Sequence, residues 1–327
     1  MSEIFGDYCL LYLVHEDVLG EVHCAARRDQ DHEQRVLLMI FDRRNLDASR
    51  FLDLVAGREA VARALTSPHL AHSLELGVED GRPFTVLPYI AGRSLETWIR
   101  EAVRRRRPFP VDVALRIVGD LGRGLQEAYW KPTGRLKLIH GFLVPQLVMV
   151  TTRGDVRLCG LEAAPTLRDF RGPASAVRKV LPYLSPEARL GQEIHSADDV
   201  YSLGVLLYEM LTLKPLISVI DLGKAELAPE PVQGDLRRFL ERCVAPRFRR
   251  LENAVEWLRE FKKMVARQDL DATTEDFATF FAALNQGMKP RFETTPIDTR
   301  EVAKLVEERR RKSDTQEIET LDESELP

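Results

Sequence analysis

Hydrophobic residues in the first 88 positions follow β-strand patterns, apart from one stretch with helical spacing. The last two predicted strands flank Asp80 and Gly81, a residue pair typical of a tight hairpin turn. Residues 51–65 carry apolar side chains at helical spacing, and Ser67-Pro68 ends this predicted helix. The region is therefore predicted to be an antiparallel sheet with one helix. The predicted strands lie within residues 8–26, 36–41, 74–78 and 83–87.

After residue 88 the apolar spacing becomes mainly helical. Ser94 can cap the first helix of this region, because its side chain can accept a hydrogen bond from a free backbone N–H group. Residues 138–158 are predicted to form a loop with short strands, and the stretch from there to about residue 184 is predicted to be irregular. The predicted helices are residues 94–104, 111–129, 198–213, 235–242, 253–267 and 275–284.

Length and composition limit the class of protein. The chain has 327 residues, of which 44% are hydrophobic, enough for one large domain or two lobes. Its net charge of −4 gives no signal for nucleic-acid binding. The four cysteines form no C-x-x-C pair, so neither a zinc site nor a disulfide framework is predicted. The sequence shows no secretory signal and no uncharged run long enough to span a membrane. We therefore expect a cytoplasmic protein without a membrane span.

Residues 138–150 have the outline of a catalytic loop without its charged residues. His140 and Pro145 match the pattern H-R-D-x-K-P-x-N, and an apolar run follows. The segment resembles the catalytic loop of protein kinases, in which the Asp orients the nucleophile and the Asn binds a metal ion. The other four positions of the pattern are taken by Gly141, Phe142, Val144 and Leu147.

Six further segments resemble parts of the eukaryotic-type protein kinase fold, as found in bacterial serine/threonine kinases, and together cover about residues 8–261. The resemblance implies an α+β, two-lobed fold, with an antiparallel sheet and one helix in the N-lobe and a mainly helical C-lobe. The segments are Leu19-Gly20-Glu21-Val22-His23, residues 36–41, Ser67-Pro68-His69-Leu70, residues 87–95, Ser185-Pro186-Glu187 and residues 199–210. The implied domains are the N-lobe (1–88), the C-lobe (89–267), an appended helix (268–288) and a disordered, acidic, threonine-containing tail (289–327).

By this resemblance, the positions that carry phosphoryl transfer have lost their chemistry. Met39 stands for the lysine that binds the phosphates, and Gly160 for the metal-binding Asp of the D-F-G triplet. Gly20 is the only one kept of three glycines that cradle phosphates, with His15 and Asp17 in the other places. No residue is therefore assigned as catalytic. The degenerate positions are Met39, Phe142, Val144, Leu147 and Gly160, and the candidate nucleotide-binding positions are Gly20, Leu87 and Tyr89.

The resemblance gives structural roles to the residues that are kept. Asp199 is expected to accept hydrogen bonds from the backbone of the loop, with His140 packed beneath it, and Pro145 keeps the frame of the loop. Glu187 is expected to pair with Arg250. Either Arg58 or Glu59 takes the position of the glutamate on the N-lobe helix. Because that residue has no lysine partner, we expect it to lie at the surface.

Three other charged features are weighed against simpler explanations. Glu162 and Asp169 are candidates for relocated metal ligands, but one carboxylate without a lysine or an asparagine is a poor magnesium site. Asp155 is expected to be a turn residue. The four arginines at 104–107 are expected to form a solvated loop rather than a nucleic-acid or lipid patch.

The sequence predicts a catalytically inactive kinase-like domain, a pseudokinase that acts as a signalling scaffold or regulator. No cofactor is expected, with ATP as the alternative ligand. Two alternatives remain: an active serine/threonine kinase that transfers the ATP γ-phosphate to protein, and a nucleotide-binding switch without transfer. The expected partners are other signalling proteins, among them an active kinase or a phosphothreonine-binding domain. The second partner follows from four threonines in acidic sequence, for which a plain solubilising tail is the alternative. These candidate phosphorylation sites are Thr294, Thr295, Thr315 and Thr320.

Overall fold

The computed structural model has two lobes, and the first is built on an antiparallel sheet of six strands. The described residues are 3–28, 34–42, 48–130, 137–167, 174–216, 232–267 and 272–288. The strands are β1 (Glu3–Phe5), β2 (Tyr8–Glu16), β3 (Gly20–Arg27), β4 (Arg35–Phe41), β5 (Glu75–Glu79) and β6 (Arg82–Pro88). They pair in the order β1-β2-β3-β4-β6-β5. Helix α1 (Ala48–Arg63) lies against β5 and β6.

Strand β4 is buried on both faces, which explains its uninterrupted apolar sequence. Leu37, Met39 and Phe41 face the main core of the protein. Leu38 and Ile40 face a second, smaller core on the other side of the sheet. The neighbouring β5–β6 hairpin turns at Asp80 and Gly81, both with positive φ, as a two-residue turn of this type requires.

The second lobe is mainly helical. Its helices are α2 (Leu95–Arg105), α3 (Val111–Trp130), α4 (Ala164–Leu167), α5 (Ala174–Val180), α6 (Pro186–Arg189), α7 (Ser196–Thr212), α8 (Gly234–Val244), α9 (Ala254–Ala266) and α10 (Thr274–Asn285). A small sheet of β7 (Gly92–Ser94), β8 (Val148–Thr151) and β9 (Val156–Leu158) packs against α2. Ser94 caps α2, since its Oγ accepts a hydrogen bond from the Thr97 N–H at 3.3 Å.

Helix α7 is the centre of the second lobe and contacts α3, α8 and α9. Its first turn is capped from both sides: the His195 side chain accepts the Ala197 N–H, and the Asp198 carboxylate accepts the His195 N–H. A Cβ atom at Gly204 would lie 2.6 Å from Cys243 Cβ, so the glycine allows α8 to approach closely. The core helix predicted over residues 198–213 is present and begins at Ser196.

Helix α10 packs against α2 through an aromatic cluster of Phe277, Phe280 and Phe281 with Trp98 and Phe109. The arginine run beside it holds the helix in place. Arg105 Nη1 donates to the Ala283 carbonyl at 2.8 Å, and the guanidinium of Arg107 lies over the Phe280 ring. The expectation of a solvated loop at residues 104–107 is therefore wrong for Arg105, which is half-buried, while Arg104, Arg106 and Arg107 are exposed.

Two expectations about secondary structure need correction, one for the stretch up to residue 184 and one for the start of α1. The stretch up to residue 184, predicted to be irregular, contains α4, α5 and a short 3₁₀ turn at Leu181–Tyr183. Helix α1 begins at Ala48, earlier than predicted, because its first turn carries no apolar pattern. Among the described residues, no helix has both the length and the apolar composition needed to cross a membrane.

Candidate functional site between the two lobes

The turn between β2 and β3 takes the place of the glycine-rich loop, and its backbone N–H groups are used within the turn. The Leu19 N–H donates to Asp17 Oδ1 at 2.8 Å, and the Asp17 N–H donates to the Gly20 carbonyl at 2.9 Å. Asp17 Oδ2 lies 3.2 Å from His15 Nε2, and both side chains are nearly buried. A phosphate cradle needs free N–H groups directed at the anion. This turn instead uses a carboxylate to bind one of its own N–H groups, and that negative charge opposes phosphate binding nearby.

Gly20 is explained by packing rather than by a ligand. Its φ is +145°, and a Cβ atom at this position would lie 2.1 Å from the Ile40 carbonyl oxygen. Only glycine permits this approach of β3 to β4. The glycine is therefore required by the sheet whether or not a nucleotide binds.

The floor of the cleft is a dry, apolar interior. Met39 is 6% exposed, and Phe142, Val144 and Leu147 are 0% exposed. These side chains belong to one continuous core that also includes Leu87 and joins the two lobes. The positions that the resemblance assigns to phosphate binding, metal binding and catalysis are thus occupied by packed apolar side chains.

The two positions that would supply the metal ligands lie next to each other. A Cβ atom at Gly160 would be 3.6 Å from Leu147 Cδ2, so the leucine methyl group packs beside the glycine. Gly160 has a φ of +78°, a backbone conformation that would be strained for any residue with a side chain. Within the described part of the chain, no group of three or more His, Cys, Asp or Glu side chains could hold a metal ion.

One carboxylate oxygen of Glu162 binds the first lobe, while its Oε2 is buried without a hydrogen-bond partner among the described residues. Glu162 is 1% exposed, and its Oε1 accepts the Ser73 N–H at 3.1 Å. Ser73 Oγ in turn accepts a hydrogen bond from Thr85 Oγ1 at 3.0 Å. Glu162 therefore anchors the segment before β5. Asp169, the other relocated candidate, lies outside the described residues.

Asp155 forms the turn between β8 and β9. Its Oδ2 accepts a hydrogen bond from Thr151 Oγ1 at 2.9 Å, and its N–H donates to the same hydroxyl at 3.0 Å. Both contacts are local, as in other turns of this kind. These bonds hold Asp155 within its own turn, as expected for a turn residue.

Tyr89 and Tyr12 connect the hinge between the lobes to the sheet. Their hydroxyl oxygens are 3.1 Å apart. Leu87, two residues before Tyr89, is 0% exposed. Burial, followed by the hydrogen bond to Tyr89, raises the pKa of Tyr12, so the Tyr12 hydroxyl stays protonated at neutral pH. The hydrogen bond therefore bridges β2 and the hinge without a ligand.

Asp199 holds the loop from below. Its Oδ1 accepts the Gly141 N–H at 2.7 Å, and its Oδ2 accepts the His140 N–H at 3.0 Å. His140 Nε2 lies 3.1 Å from the Cys159 carbonyl, and its Nδ1 accepts the Phe142 N–H at 3.3 Å. A neutral ring with its proton on Nε2 satisfies both contacts. Burial lowers the pKa of His140 to about 4 and raises the pKa of Asp199 to about 7.

Glu187 and Arg250 form the ion pair expected from the sequence. Arg250 Nη2 lies 2.9 Å from Glu187 Oε2, and the arginine side chain is 0% exposed. Arg250 also donates to the Ala245 and Ala197 carbonyls, at 2.9 and 3.3 Å. The charge is thus fully enclosed by acceptors, which is the condition for a favourable buried pair.

Arg58 corrects the expectation of a surface residue on α1. Its Nη2 donates to the Ile139 carbonyl at 2.7 Å and to the Leu161 carbonyl at 2.8 Å. Glu59 instead pairs with Arg63 on the outside of the helix. Arg58 therefore occupies the inward position, where the family has a glutamate. No side-chain pattern could reveal this contact, because its acceptors are backbone carbonyls.

The residues of the cleft do not fit magnesium-bound ATP. Such a ligand needs free N–H groups, a lysine for the phosphates and at least two metal ligands. Asp17, Met39 and the Leu147–Gly160 contact occupy those places. The observed contacts of the retained residues Asp199, His140, Glu187 and Arg250 all lie within the fold. The candidate phosphorylation sites Thr294, Thr295, Thr315 and Thr320 lie outside the described residues.

Two curated proteins illustrate what the sequence is similar to. The tyrosine-protein kinase MasK of Myxococcus xanthus (strain DK1622) is 27% identical over 240 residues, which cover 71% of this chain and 36% of that protein. The serine/threonine-protein kinase PknK of Mycobacterium bovis (strain ATCC BAA-935 / AF2122/97) is 32% identical over 179 residues, covering 54% of this chain and 15% of that protein. The chain thus matches well under half the length of these relatives.

The fold is shared with a solved structure. The kinase domain of Mycobacterium tuberculosis PknI superimposes with a TM-score of 0.60 at 19% sequence identity, covering 80% of this chain and 98% of that domain. The expected fold, with an antiparallel sheet in the N-lobe and a helical C-lobe, is therefore confirmed. A family model described as protein tyrosine and serine/threonine kinase matches residues 13–269. The chain belongs to the protein tyrosine and serine/threonine kinase family.

Proposed function

We propose that this chain is a pseudokinase, a kinase-like domain that does not transfer phosphate and acts as a signalling scaffold or regulator. One observation carries the proposal: Met39, Phe142 and Leu147 are packed into the core at the positions of the lysine, the catalytic Asp and the metal-binding Asn. Loss of one such residue can be compensated by a neighbour. Simultaneous replacement by buried hydrocarbon removes both the charges and the space that they serve.

The names of the relatives describe protein kinases, so the proposal rests on the cleft of this chain alone. The turn after β2 supports it independently. Asp17 uses its carboxylate to bind the Leu19 N–H, which leaves that donor unavailable to a phosphate. The cleft therefore combines a repelling entrance with an apolar floor, and we propose that the protein works without a nucleotide cofactor.

The proposed partners are other signalling proteins in the cytoplasm, an active kinase or a phosphothreonine-binding domain among them. The second partner depends on phosphorylation of Thr294, Thr295, Thr315 or Thr320, which would add negative charge to an already acidic segment. Mass spectrometry of the protein purified from its native cell tests this point. Absence of phosphate from all four threonines would leave the tail without the proposed docking role.

A thermal-shift titration with ATP, with and without Mg²⁺, tests the proposed function. A ligand at 100 times its Kd stabilises a protein by about 2.7 kcal/mol, which shifts the unfolding midpoint by several degrees. We expect no shift at millimolar ATP, with an active bacterial serine/threonine kinase domain as the positive control. A shift without Mg²⁺ would indicate a nucleotide-binding switch instead. A Mg²⁺-dependent shift, followed by transfer of labelled γ-phosphate to a protein substrate, would indicate an active kinase.

A further inference from the structure

We infer that Arg58 is a permanent clamp between the lobes. It holds α1 against the loop of residues 138–150 and against the triplet Gly160-Leu161-Glu162, without any ligand. The two carbonyls that it binds come from different segments of the second lobe. Ile139 lies at the start of the loop, and Leu161 lies in the triplet. A single guanidinium on the first lobe therefore fixes both segments at once.

The guanidinium is suited to this contact and a carboxylate is not. Its Nη2 atom alone carries two N–H groups, and this one nitrogen donates to both carbonyl oxygens. A glutamate at this position would direct its oxygens at two other oxygens. An arginine in place of the glutamate on α1 therefore matches the two backbone carbonyls of the second lobe.

The surroundings balance the charge of Arg58. Burial lowers the pKa of its guanidinium, while the nearby carboxylates of Asp199 and Glu162 act in the opposite direction. Its Nε atom is buried and makes no hydrogen bond among the described residues. The interaction is therefore enclosed, where hydrogen bonds from a charged group are strongest and most costly to lose.

The clamp completes a connected path from the first lobe to the core of the second. Arg58 binds the Ile139 carbonyl, the next residue His140 donates its N–H to Asp199, and Asp199 belongs to α7. The second contact, at Leu161, lies two residues after Cys159, whose carbonyl faces the His140 ring. The same loop is thus held from α1 on one side and from α7 on the other.

In active kinases the corresponding link is an ion pair between a lysine and a glutamate, and the lysine also binds the nucleotide phosphates. Here Met39 stands in place of the lysine, and the link runs directly from α1 to the second lobe. The position of α1 is then independent of nucleotide. The clamp does not rest on the proposed function, because it concerns only contacts within the ligand-free chain.

The test measures the distance between α1 and the second lobe in the full chain without nucleotide. Leu52 on α1 and Leu190 after α6 are exposed, at 47% and 77%, and the four native cysteines are buried. Spin labels on Leu52→Cys and Leu190→Cys report the distance distribution by electron–electron double resonance. We expect one narrow distribution in the parent protein and a broader or shifted one in Arg58→Met.

Arg58→Lys keeps the charge and several N–H donors on one nitrogen but lacks the planar guanidinium that sets their direction, so it should give an intermediate distribution. It also decides the test if Arg58→Met fails to fold. Arg63→Met is the matched control, since Arg63 lies on the same helix and pairs with Glu59 at the surface. This variant should leave the distribution unchanged.

Hydrogen exchange separates a clamp from general stabilisation. Loss of the clamp should speed exchange at the His140 and Gly141 amides about tenfold, with little change in the distant helix α9. The inference is overturned if the Arg58 variants keep the parent distance distribution and the parent exchange at these two amides. It is also overturned if exchange rises equally in α9. ATP binding has no part in either readout, so failure of the proposed function would not be confused with failure of the clamp.

Discussion

Leu147 packs against Gly160, with its Cδ2 atom 3.6 Å from the point where a Cβ of residue 160 would lie. In an active kinase these two positions carry the Asn and the Asp that bind magnesium. Here their contact belongs to the core, because Leu147 is 0% exposed. The lack of an Asn and an Asp at these two positions is thus part of how the core of the second lobe packs, and restoring them should disturb the fold.

Reintroducing the metal ligands should destabilise the protein rather than restore chemistry. The double variant Leu147→Asn, Gly160→Asp places two polar side chains in a dry interior and a side chain at positive φ. We expect a loss of about 3–6 kcal/mol in the free energy of unfolding, with no stabilisation by Mg²⁺. Urea denaturation measures the loss. Leu147→Met is the matched control and should cost less than about 1.5 kcal/mol. Stabilisation of the double variant by magnesium would contradict the account.

The buried ion pair of Arg250 should be among the most sensitive points of the second lobe. Arg250→Met removes the charged partner of Glu187 and the guanidinium donors to the Ala245 and Ala197 carbonyls. We expect a loss of about 3–5 kcal/mol by chemical denaturation. Arg237→Met is the control, because Arg237 pairs with the exposed Glu241 and should cost less than about 1 kcal/mol. Equal losses in the two variants would be evidence against an enclosed pair.

His140 and Asp199 should contribute pH dependences of opposite sign. Burial lowers the pKa of His140 to about 4, so the unfolded chain binds more protons below about pH 6.5, and stability from this group falls as pH falls toward 4. Burial raises the pKa of Asp199 to about 7, so the folded chain binds more protons below that pH. Stability from Asp199 is therefore present at low pH and is lost as pH rises through about 7.

Single variants should reveal each slope. Relative to the parent, His140→Gln should gain up to about 3 kcal/mol in stability between pH 7 and pH 4. Over the same range, Asp199→Asn should lose stability relative to the parent. Asparagine cannot take up the proton that stabilises the folded parent as the pH falls below about 7. Denaturation curves for the three proteins at several pH values give both differences. The assignment fails if the two variants follow the pH dependence of the parent.

Helix α10 should stabilise the second lobe through its aromatic face. Phe281 is 0% exposed and contacts Trp98 with ring centroids 4.8 Å apart. Phe281→Ala should cost about 3–5 kcal/mol and change the tryptophan fluorescence, since it removes a packed ring. Leu54→Ala, on the outer side of α1, is the control and should stay within about 0.5 kcal/mol. An unchanged unfolding midpoint in Phe281→Ala would show that α10 is only loosely attached.

Those elements that are buried on all sides could be predicted from the sequence. Strand β4 and helix α7 have near-continuous apolar runs, and Asp199, Glu187 and Arg250 follow from their places in the family pattern. The antiparallel sheet, the order of the helices and the loss of charge in the loop were predictable for the same reason. The sheet, the helices and the uncharged loop all depend on which side chains are apolar, and the sequence shows this directly.

The missed features depend on backbone acceptors. Arg58 and Arg105 both bind carbonyl oxygens of distant residues, and such acceptors have no signature in the sequence. Arg58 was expected at the surface because it has no lysine partner, and Arg105 because it belongs to a basic run. The hydroxyl contact of Tyr12 with Tyr89 was missed because it joins two segments that only the folded hinge brings together.

Equilibrium dialysis of the full chain against millimolar labelled ATP with excess Mg²⁺ tests the central claim most directly. The claim is that the cleft is a packed, apolar interior with no place for a nucleotide. The account predicts equal ATP concentrations on both sides of the membrane, as with a non-binding control protein. Saturable retention of ATP, approaching one nucleotide per chain, would contradict it.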